Sequence, residues 1–177
     1  MAKGETALIV GAGLGLSASL ARKFSSEGVE VALAARNIEK LDKLVAETNA
    51  KAYTCDATDP AAVEKLFRNV TKDLSQPDIV VYNASNRVRG PITDIDPDAV
   101  LRAIKITCYG GFLVAQQAAK QMVQRGSGAI FFTGASAGVK GYPNSATFAM
   151  GKFGLRGLAQ SMARELHPQN IHVAHFV

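Results

Sequence analysis

The chain has 177 residues, 47% of them apolar, and a formal net charge of +5 from 20 basic and 15 acidic residues. This length and composition are typical of one compact globular domain and exclude disordered, collagenous and fibrous proteins. Because no apolar run reaches the roughly 20 residues that span a bilayer, and the N-terminus lacks a secretory signal pattern, we expect a cytoplasmic protein.

Short apolar runs alternate with longer amphipathic segments along the whole chain. The runs predict strands over Thr6–Val10, Val29–Ala35, Ala52–Cys55, Asp78–Asn83, Ala129–Thr133 and Ile171–Val177. The amphipathic segments predict helices over Leu16–Glu27, Ile38–Glu47, Ala61–Asp73, Asp98–Arg125 (with Gly110 and Gly111 as the place where it can break) and Ala146–Glu165. Asp59-Pro60 and Asp96-Pro97 are typical helix starts, and Gly28 is a typical helix end.

This alternation decides the fold class. Parallel strands need crossover connections, and each crossover helix covers one face of the sheet. The sequence therefore predicts an α/β fold, a Rossmann-like doubly wound parallel sheet with helices on both faces, as a single dinucleotide-binding domain over residues 1–177.

A glycine-rich loop joins the first strand to the first helix and carries Gly11, Gly13 and Gly15, with Leu16 starting the helix. Glycines let the backbone turn sharply and approach a pyrophosphate, and the positive end of the helix attracts the anion. The position between a buried strand and a helix favours dinucleotide binding, and the alternative is a purely structural turn.

The second strand ends at Arg36 and Asn37, about 20 residues after the last loop glycine, where such folds meet the adenosine ribose. An acid there favours the free 2′-hydroxyl of NAD(H), whereas an arginine matches a 2′-phosphate. We therefore predict NADP(H) over NAD(H). The alternative is a surface arginine without a ligand.

With this loop and the segments Cys55-Asp56-Ala57, Tyr82-Asn83-Ala84-Ser85 and Lys152–Leu158, the chain resembles the short-chain dehydrogenase/reductase family from Thr6 to Val177. The resemblance implies that Asp56 and Ala57 contact the adenine, that Asn83 and Ala84 belong to the cofactor site, and that Lys152 contacts the nicotinamide ribose. Ser17 and Ser85 stand where the family has glycine. Both substitutions are compatible with cofactor binding if the backbone there keeps a negative φ.

The acid/base half of the family's active site departs from the pattern. Phe148 replaces the tyrosine of the YxxxK motif, Ala135 replaces the serine and Thr107 the helix asparagine, so that of these four only Lys152 remains. A missing general acid costs about 10²–10⁴ in rate. We expect an NADP-dependent reductase of a carbonyl or hydroxyl group with weakened chemistry; the alternative is an inactive NADP(H)-binding protein with a structural, sensing or partner role.

Three hydroxyl groups are candidates to replace the lost acid: Ser136, which we name with Lys152 as a candidate catalytic residue, and also Tyr109 and Tyr142. The alternative for each is an ordinary packing or loop hydroxyl.

Other signals are weaker. His172 and His175 lie three apart in a predicted strand and point to opposite faces, so with His167 they predict no metal site, and the two cysteines are expected as free thiols. Scattered basic residues argue against a nucleic-acid partner. Arg87 and Arg89 follow a strand end and suggest an anionic small-molecule substrate, or else solvated loop charges.

The two longest predicted helices carry apolar residues on more than one side, which indicates a homodimer or homotetramer formed through them. The chain stops inside the sixth predicted strand, whereas members of the resembled family continue with a substrate-covering segment. We therefore predict no particular substrate.

Overall fold

The computed structural model describes residues 4–177, which form six parallel strands and the helices between them. The strands are β1 (Thr6–Val10), β2 (Glu30–Ala35), β3 (Lys51–Thr54), β4 (Ile79–Tyr82), β5 (Gly128–Thr133) and β6 (Ile171–Phe176). The α-helices are α1 (Leu16–Ser26), α2 (Asp42–Thr48), α3 (Pro60–Asp73), α4 (Pro97–Ile104), α5 (Gly110–Arg125) and α6 (Ala146–Leu166). The sheet order β3-β2-β1-β4-β5-β6 confirms the predicted Rossmann-like doubly wound fold.

Each face of the sheet has its own apolar core. Ile9 and Leu33 pack with α1 and α2 on one face, while Leu8 and Val80 pack with α3, α5 and α6 on the other. Side chains of successive strand residues point to opposite faces, so a strand covered on both sides must be apolar throughout. The unbroken run of β1, which is completely buried, fulfils this condition.

The predicted helix ends are confirmed at the two Asp-Pro pairs. The Asp59 carboxylate accepts a hydrogen bond from the Ala61 amide, and the Asp96 carboxylate accepts from the Asp98 and Ala99 amides. These contacts satisfy amides that have no partner inside the helix. Gly28 follows α1 with a φ of +81°, a conformation that glycine adopts without strain.

The long helix predicted over Asp98–Arg125 is interrupted, by a π-helical segment at Lys105–Tyr109 directly before the glycine pair. The buried Tyr82 hydroxyl donates a hydrogen bond to the Ile106 carbonyl in this segment. A Cβ at Gly110 would lie 2.5 Å from the same hydroxyl oxygen. The helix therefore rearranges where it crosses the end of β4, and glycine is needed at the contact.

The strand order reverses between β1 and β4, because the chain first adds strands on one side of β1 and then on the other. Ligands of open parallel sheets bind beyond the carboxyl ends of the strands at such a reversal. The loops that follow β1, β2, β3 and β4 are therefore expected to form the ligand-binding site.

Candidate active site

A cavity of about 570 Å³ opens beyond the carboxyl ends of β1 to β4. It brings together most of the predicted cofactor residues, namely Gly11, Gly13, Arg36, Asn37, Asp56, Ala57, Asn83 and Ala84. Gly15 and Leu16 lie beside it at the start of α1 and do not line it, and Lys152 and Ser136 are placed elsewhere. Because eight predicted residues from four loops meet in one cavity, we identify it as the candidate nucleotide site.

Gly11 shapes the floor of this cavity. Its φ is +85°, and a Cβ would lie 2.5 Å from Cα of Ala84. The amides of Gly11 and Ala12 both donate to the Ala34 carbonyl at 2.9 Å, so they hold the loop against β2 and are not free for a ligand. Gly13 differs, because a Cβ there would meet nothing within 4 Å. A side chain at Gly13 would therefore enter open space.

Ser17, which stands in a family glycine position, ties the loop to β4. Its buried hydroxyl accepts a hydrogen bond of 2.8 Å from the Asn83 side-chain amide and donates to the Gly11 carbonyl at 3.3 Å. Neither Ser17 nor Ser85 is among the residues with positive φ in the described chain. The serine therefore keeps the backbone shape that the glycine loop requires.

The start of α1 is suited to an anion. Its first turn contains no acidic residue, and no side chain caps it. Free amides and the helix dipole therefore carry an uncompensated positive potential next to Gly13.

The far end of the cavity is basic. Arg36 and Lys40 both line it, and within residues 4–177 neither forms an ion pair. Hydrogen bonds from Thr58, and then the positive charges of Arg36 and Lys105, lower the pKa of Asp56. The Asp56 carboxylate is therefore ionised and fixed by the Thr58 amide at 2.9 Å.

Lys152 lies deeper, on α6. Its side chain is 2% exposed, and its ammonium donates a hydrogen bond of 2.6 Å to the Thr133 carbonyl. Burial lowers its pKa to about 8. The Phe148 ring lies 5.7 Å from the Lys152 ammonium and 5.0 Å from the Arg87 guanidinium carbon, so two cations contact the ring that replaces the expected phenol.

A second cavity of about 610 Å³ lies beside this region. Its walls come from the segment after β4 and from the loop between β5 and α6: Arg87, Arg89, Gly90, Pro91, Ser136, Tyr142, Pro143, Asn144 and Ser145. Among residues 4–177, no acidic residue lines this second cavity. The cavity therefore joins the candidate catalytic Ser136 to the two arginines.

Residues 5–177 match the sequence model of the short chain dehydrogenase family. The chain belongs to this family of oxidoreductases. It is 37% identical to a short-chain dehydrogenase from Rhodopseudomonas palustris, with a TM-score of 0.91 over 97% of this chain and 82% of that one.

Two other similar solved structures contain bound nucleotides. The NAD⁺-bound xylitol dehydrogenase is 31% identical, with a TM-score of 0.94 over 98% of this chain and 69% of that one. A metagenomic short-chain oxidoreductase in complex with NADP is 28% identical, with a TM-score of 0.93 over 98% and 81%. Both cofactors therefore occur among proteins with this fold.

Two further residues singled out from the sequence of this short-chain dehydrogenase, Thr107 and Tyr109, lie outside both cavities and make contacts within the fold. Thr107 is fully buried, and its hydroxyl accepts a hydrogen bond of 3.0 Å from the Asn86 amide. Tyr109 stacks on Phe112 with ring centroids 6.3 Å apart and lines neither cavity. Of the three candidate hydroxyls, Ser136 and Tyr142 therefore share a cavity and Tyr109 does not.

Within residues 4–177, no helix is long and apolar enough to cross a bilayer.

Sequence reasoning missed two residues of the site. Lys40 faces the nucleotide cavity because α2 begins with a 3₁₀ turn, and the Asn37 side chain starts this turn by accepting from the Glu39 amide at 3.0 Å. His175 packs beside Lys152, in space left by Gly134, where a Cβ would lie 2.6 Å from the His175 ring nitrogen. Burial and then the charges of Lys152 and Arg156 lower the pKa of His175. The only sequence signal concerned Lys40, which lies four residues after Arg36. Nothing in the sequence indicated that His175 lies beside Lys152.

Proposed function

We propose that this short-chain dehydrogenase is an NADP(H)-dependent oxidoreductase of a carbonyl or hydroxyl group with an atypical active site, contained in one dinucleotide-binding domain. The observation that carries the proposal is the basic end of the nucleotide cavity. Arg36 and Lys40 line this end of the cavity, and neither forms an ion pair in the described chain. Two cations there favour a 2′-phosphate over a free hydroxyl.

The remaining cavity residues fit a dinucleotide. The unfilled space at Gly13 and the amides at the start of α1, near Gly15 and Leu16, suit the pyrophosphate. Asp56 and Ala57 would contact the adenine, while Asn83 and Ala84 shape the wall next to the loop. When bound, the cofactor supplies the hydride. The protein supplies position, charge and the proton.

Lys152 can serve the nicotinamide ribose but has no phenol to activate, because Phe148 occupies that place. This observation favours a second candidate function, an NADP(H)-binding protein with little or no turnover that acts as a sensor, a structural protein or an inactive partner. The two candidates predict different responses to a restored phenol.

We expect Phe148→Tyr to raise turnover by about tenfold or more, because the new hydroxyl would lie near the Lys152 ammonium, which favours its ionised form. The measurement is NADPH oxidation with benzaldehyde and 4-carboxybenzaldehyde. The matched control is Phe153→Tyr, five residues later on α6 and half exposed, which we expect to leave turnover unchanged. NADPH binding without turnover in both wild type and Phe148→Tyr would favour the inactive binding protein.

The second cavity supports an anionic small-molecule substrate. Arg87 is held in place by its contact with Phe148 and by a hydrogen bond of 3.2 Å that its guanidinium donates to Ser145. This bond uses one of its five N–H donors. Like Arg89, it forms no ion pair in the part of the chain that the structure describes.

We expect Arg87→Glu to raise KM for 4-carboxybenzaldehyde by about tenfold and to leave KM for uncharged benzaldehyde within about twofold, because the substrate carboxylate would lose a cation and meet an anion. Arg68→Glu, on the exposed side of α3, makes the same change in net charge away from the cavity. Equal effects on both aldehydes, or none, would contradict an anionic substrate.

The helices α5 and α6 support self-association as a homodimer or homotetramer. Phe112 and Phe153 are 40% and 45% exposed on them, and a groove of about 320 Å³ runs between the two helices. Exposed aromatic side chains on adjacent helices are typical of interfaces between subunits.

A further inference from the structure

Three residues that carry chemistry lie within seven positions of the loop between β5 and α6: Ser136, Lys140 and Tyr142. A 3₁₀ turn over Ser136–Gly138 folds the start of the loop, and the Lys140 amide donates to the Ser136 carbonyl at 3.1 Å. The turn therefore returns the chain toward Ser136, so that residues four and six positions later lie near it.

The far side of the loop is anchored as well. Asn144 has a φ of +56°, which reverses the chain, and its carbonyl accepts a hydrogen bond of 3.3 Å from the Gly90 amide. This contact joins the loop to the segment that carries Arg87 and Arg89. Tyr142 and Ser136 consequently line the 610 Å³ cavity together with the two arginines.

The Ser136 hydroxyl and the Lys140 charge beside Tyr142 favour the ionised form of its phenol. The Ser136 hydroxyl and then the Lys140 ammonium lower the pKa of the Tyr142 phenol, and the Lys140 nitrogen lies 5.3 Å from the ring centroid. Burial has the opposite effect on Tyr53 and Tyr82, whose pKa values are raised. Tyr142 therefore combines three properties of a general acid: a lowered pKa, a place in a cavity and, with 41% of its surface exposed, access to solvent protons.

The buried Lys152 also has a lowered pKa, but it lines neither cavity and is closed off from solvent. The Lys152 ammonium is bound to the Thr133 carbonyl and covered by Phe148, and the side chain is 2% exposed. A substrate oxygen in the second cavity would meet the loop hydroxyls and the arginines first.

We propose that the Tyr142 hydroxyl, supported by Ser136 and Lys140, is the acid that protonates the substrate oxygen during carbonyl reduction. The inference rests on the proposed function, in which NADPH would give up the hydride and be oxidised to NADP⁺. A C–H bond forms between the hydride and the carbonyl carbon while the C=O π bond breaks, and the oxygen takes the proton from Tyr142. The Tyr142 phenolate is held by Ser136 and Lys140 until solvent returns a proton, and oxidation of the alcohol runs through the same groups in reverse.

The first test needs no substrate. The chain has four tyrosines, and we expect ultraviolet difference titration to show one of them ionising at lower pH than a free phenol, whose pKa is 10.0. Tyr142→Phe should remove that first transition, Lys140→Met should move it to higher pH, and Tyr109→Phe should leave it in place. A first transition that persists in Tyr142→Phe would overturn the inference.

The second test uses turnover of 4-carboxybenzaldehyde with NADPH. We expect Tyr142→Phe to lower kcat by about 10²–10⁴ with the Kd for NADPH unchanged, and Tyr109→Phe to match wild type. Because reduction needs the protonated phenol, the wild-type rate should fall as pH rises through the pKa of Tyr142. Lys140→Met should move this fall to higher pH, which a purely structural role would not do.

Phe148→Tyr serves as a rescue. In that background a second phenol is available, so Tyr142→Phe should cost much less than in wild type. An active wild type whose turnover is unchanged by Tyr142→Phe would overturn this inference and leave the proposed function intact. Failure of wild type to bind NADPH would overturn the proposed function itself, and the inference with it.

Discussion

Gly13→Asp is expected to weaken NADPH binding by about 10³-fold while the protein stays folded. A Cβ at Gly13 meets nothing within 4 Å, so the fold can accept the side chain. The same space is where the pyrophosphate would lie, beside the uncapped start of α1. Two unit charges 4 Å apart at an effective dielectric constant near 20 repel by about 4 kcal/mol, which corresponds to about 10³ in affinity. The measurement is calorimetric titration with NADPH.

Gly13→Asn is the matched control, because it has nearly the same shape without the charge. We expect it to lose clearly less affinity than Gly13→Asp, with both melting temperatures near that of wild type. Gly11 would not separate binding from folding, since its φ of +85° and the nearby Ala84 backbone make any side chain there a strain on the fold. Wild-type NADPH affinity in Gly13→Asp would show that the pyrophosphate does not use this loop.

Arg36→Glu is expected to lower NADPH affinity by about 10³-fold and to leave NADH affinity unchanged or improved. The substitution removes hydrogen bonds to a charged phosphate, each contributing about 1.5–3 kcal/mol, and puts a carboxylate in their place. The same carboxylate can accept a hydrogen bond from the free 2′-hydroxyl of NADH. Fluorescence titration with the two reduced cofactors measures the ratio directly.

Lys40 remains in Arg36→Glu and keeps part of the attraction, so a double substitution with Lys40→Met should lower NADPH affinity further. Arg36→Gln is the control without a new charge: it should lose NADPH affinity while NADH affinity stays at the wild-type value. If Arg36→Glu weakened both cofactors equally, Arg36 would support the cavity and would not select the phosphate.

The strands were accessible from sequence because their cause is local. A short unbroken apolar run such as Leu8 to Val10 is typical of a strand covered on both faces, and the helix starts at Asp59 and Asp96 depend on contacts within three residues. Most predicted ends differ from observed ends by a residue or two, as at β2, which begins at Glu30 and not at Val29. The helix predicted from Ile38 differs more, because a 3₁₀ turn over Glu39–Leu41 precedes α2, which begins at Asp42.

The π-helical segment could not be predicted, because it depends on a contact across 24 positions of sequence. The buried Tyr82 hydroxyl donates a hydrogen bond to the Ile106 carbonyl, and no sequence pattern predicts that these two residues are in contact. The glycine pair correctly indicated that the long helix is interrupted nearby, but it did not indicate that the interruption is a π-helical segment.

The nucleotide half of the site was accessible from sequence for the same reason as the fold. The loop glycines and Arg36 directly follow the ends of predicted strands. Because the ends of parallel strands meet at one edge of the sheet, predicting the strands was enough to predict that these residues share one cavity. The second cavity was not accessible, since it forms where the loop of Tyr142 meets the segment of Arg87, more than fifty residues earlier. The sequence identified Tyr142 as a candidate hydroxyl. It did not show that Lys140 contacts the Tyr142 ring, because that contact exists only in the folded loop.

Calorimetric titration of the wild-type chain with NADPH and, in parallel, NADH tests most directly whether the cavity binds a dinucleotide. We expect measurable heat with NADPH, an affinity at least about tenfold tighter than for NADH, and a melting temperature that rises with NADPH concentration. Absence of both heat and thermal protection at saturating concentrations of either nucleotide would contradict dinucleotide binding, because the loop after β1 and the basic end of the cavity would then have no ligand in common.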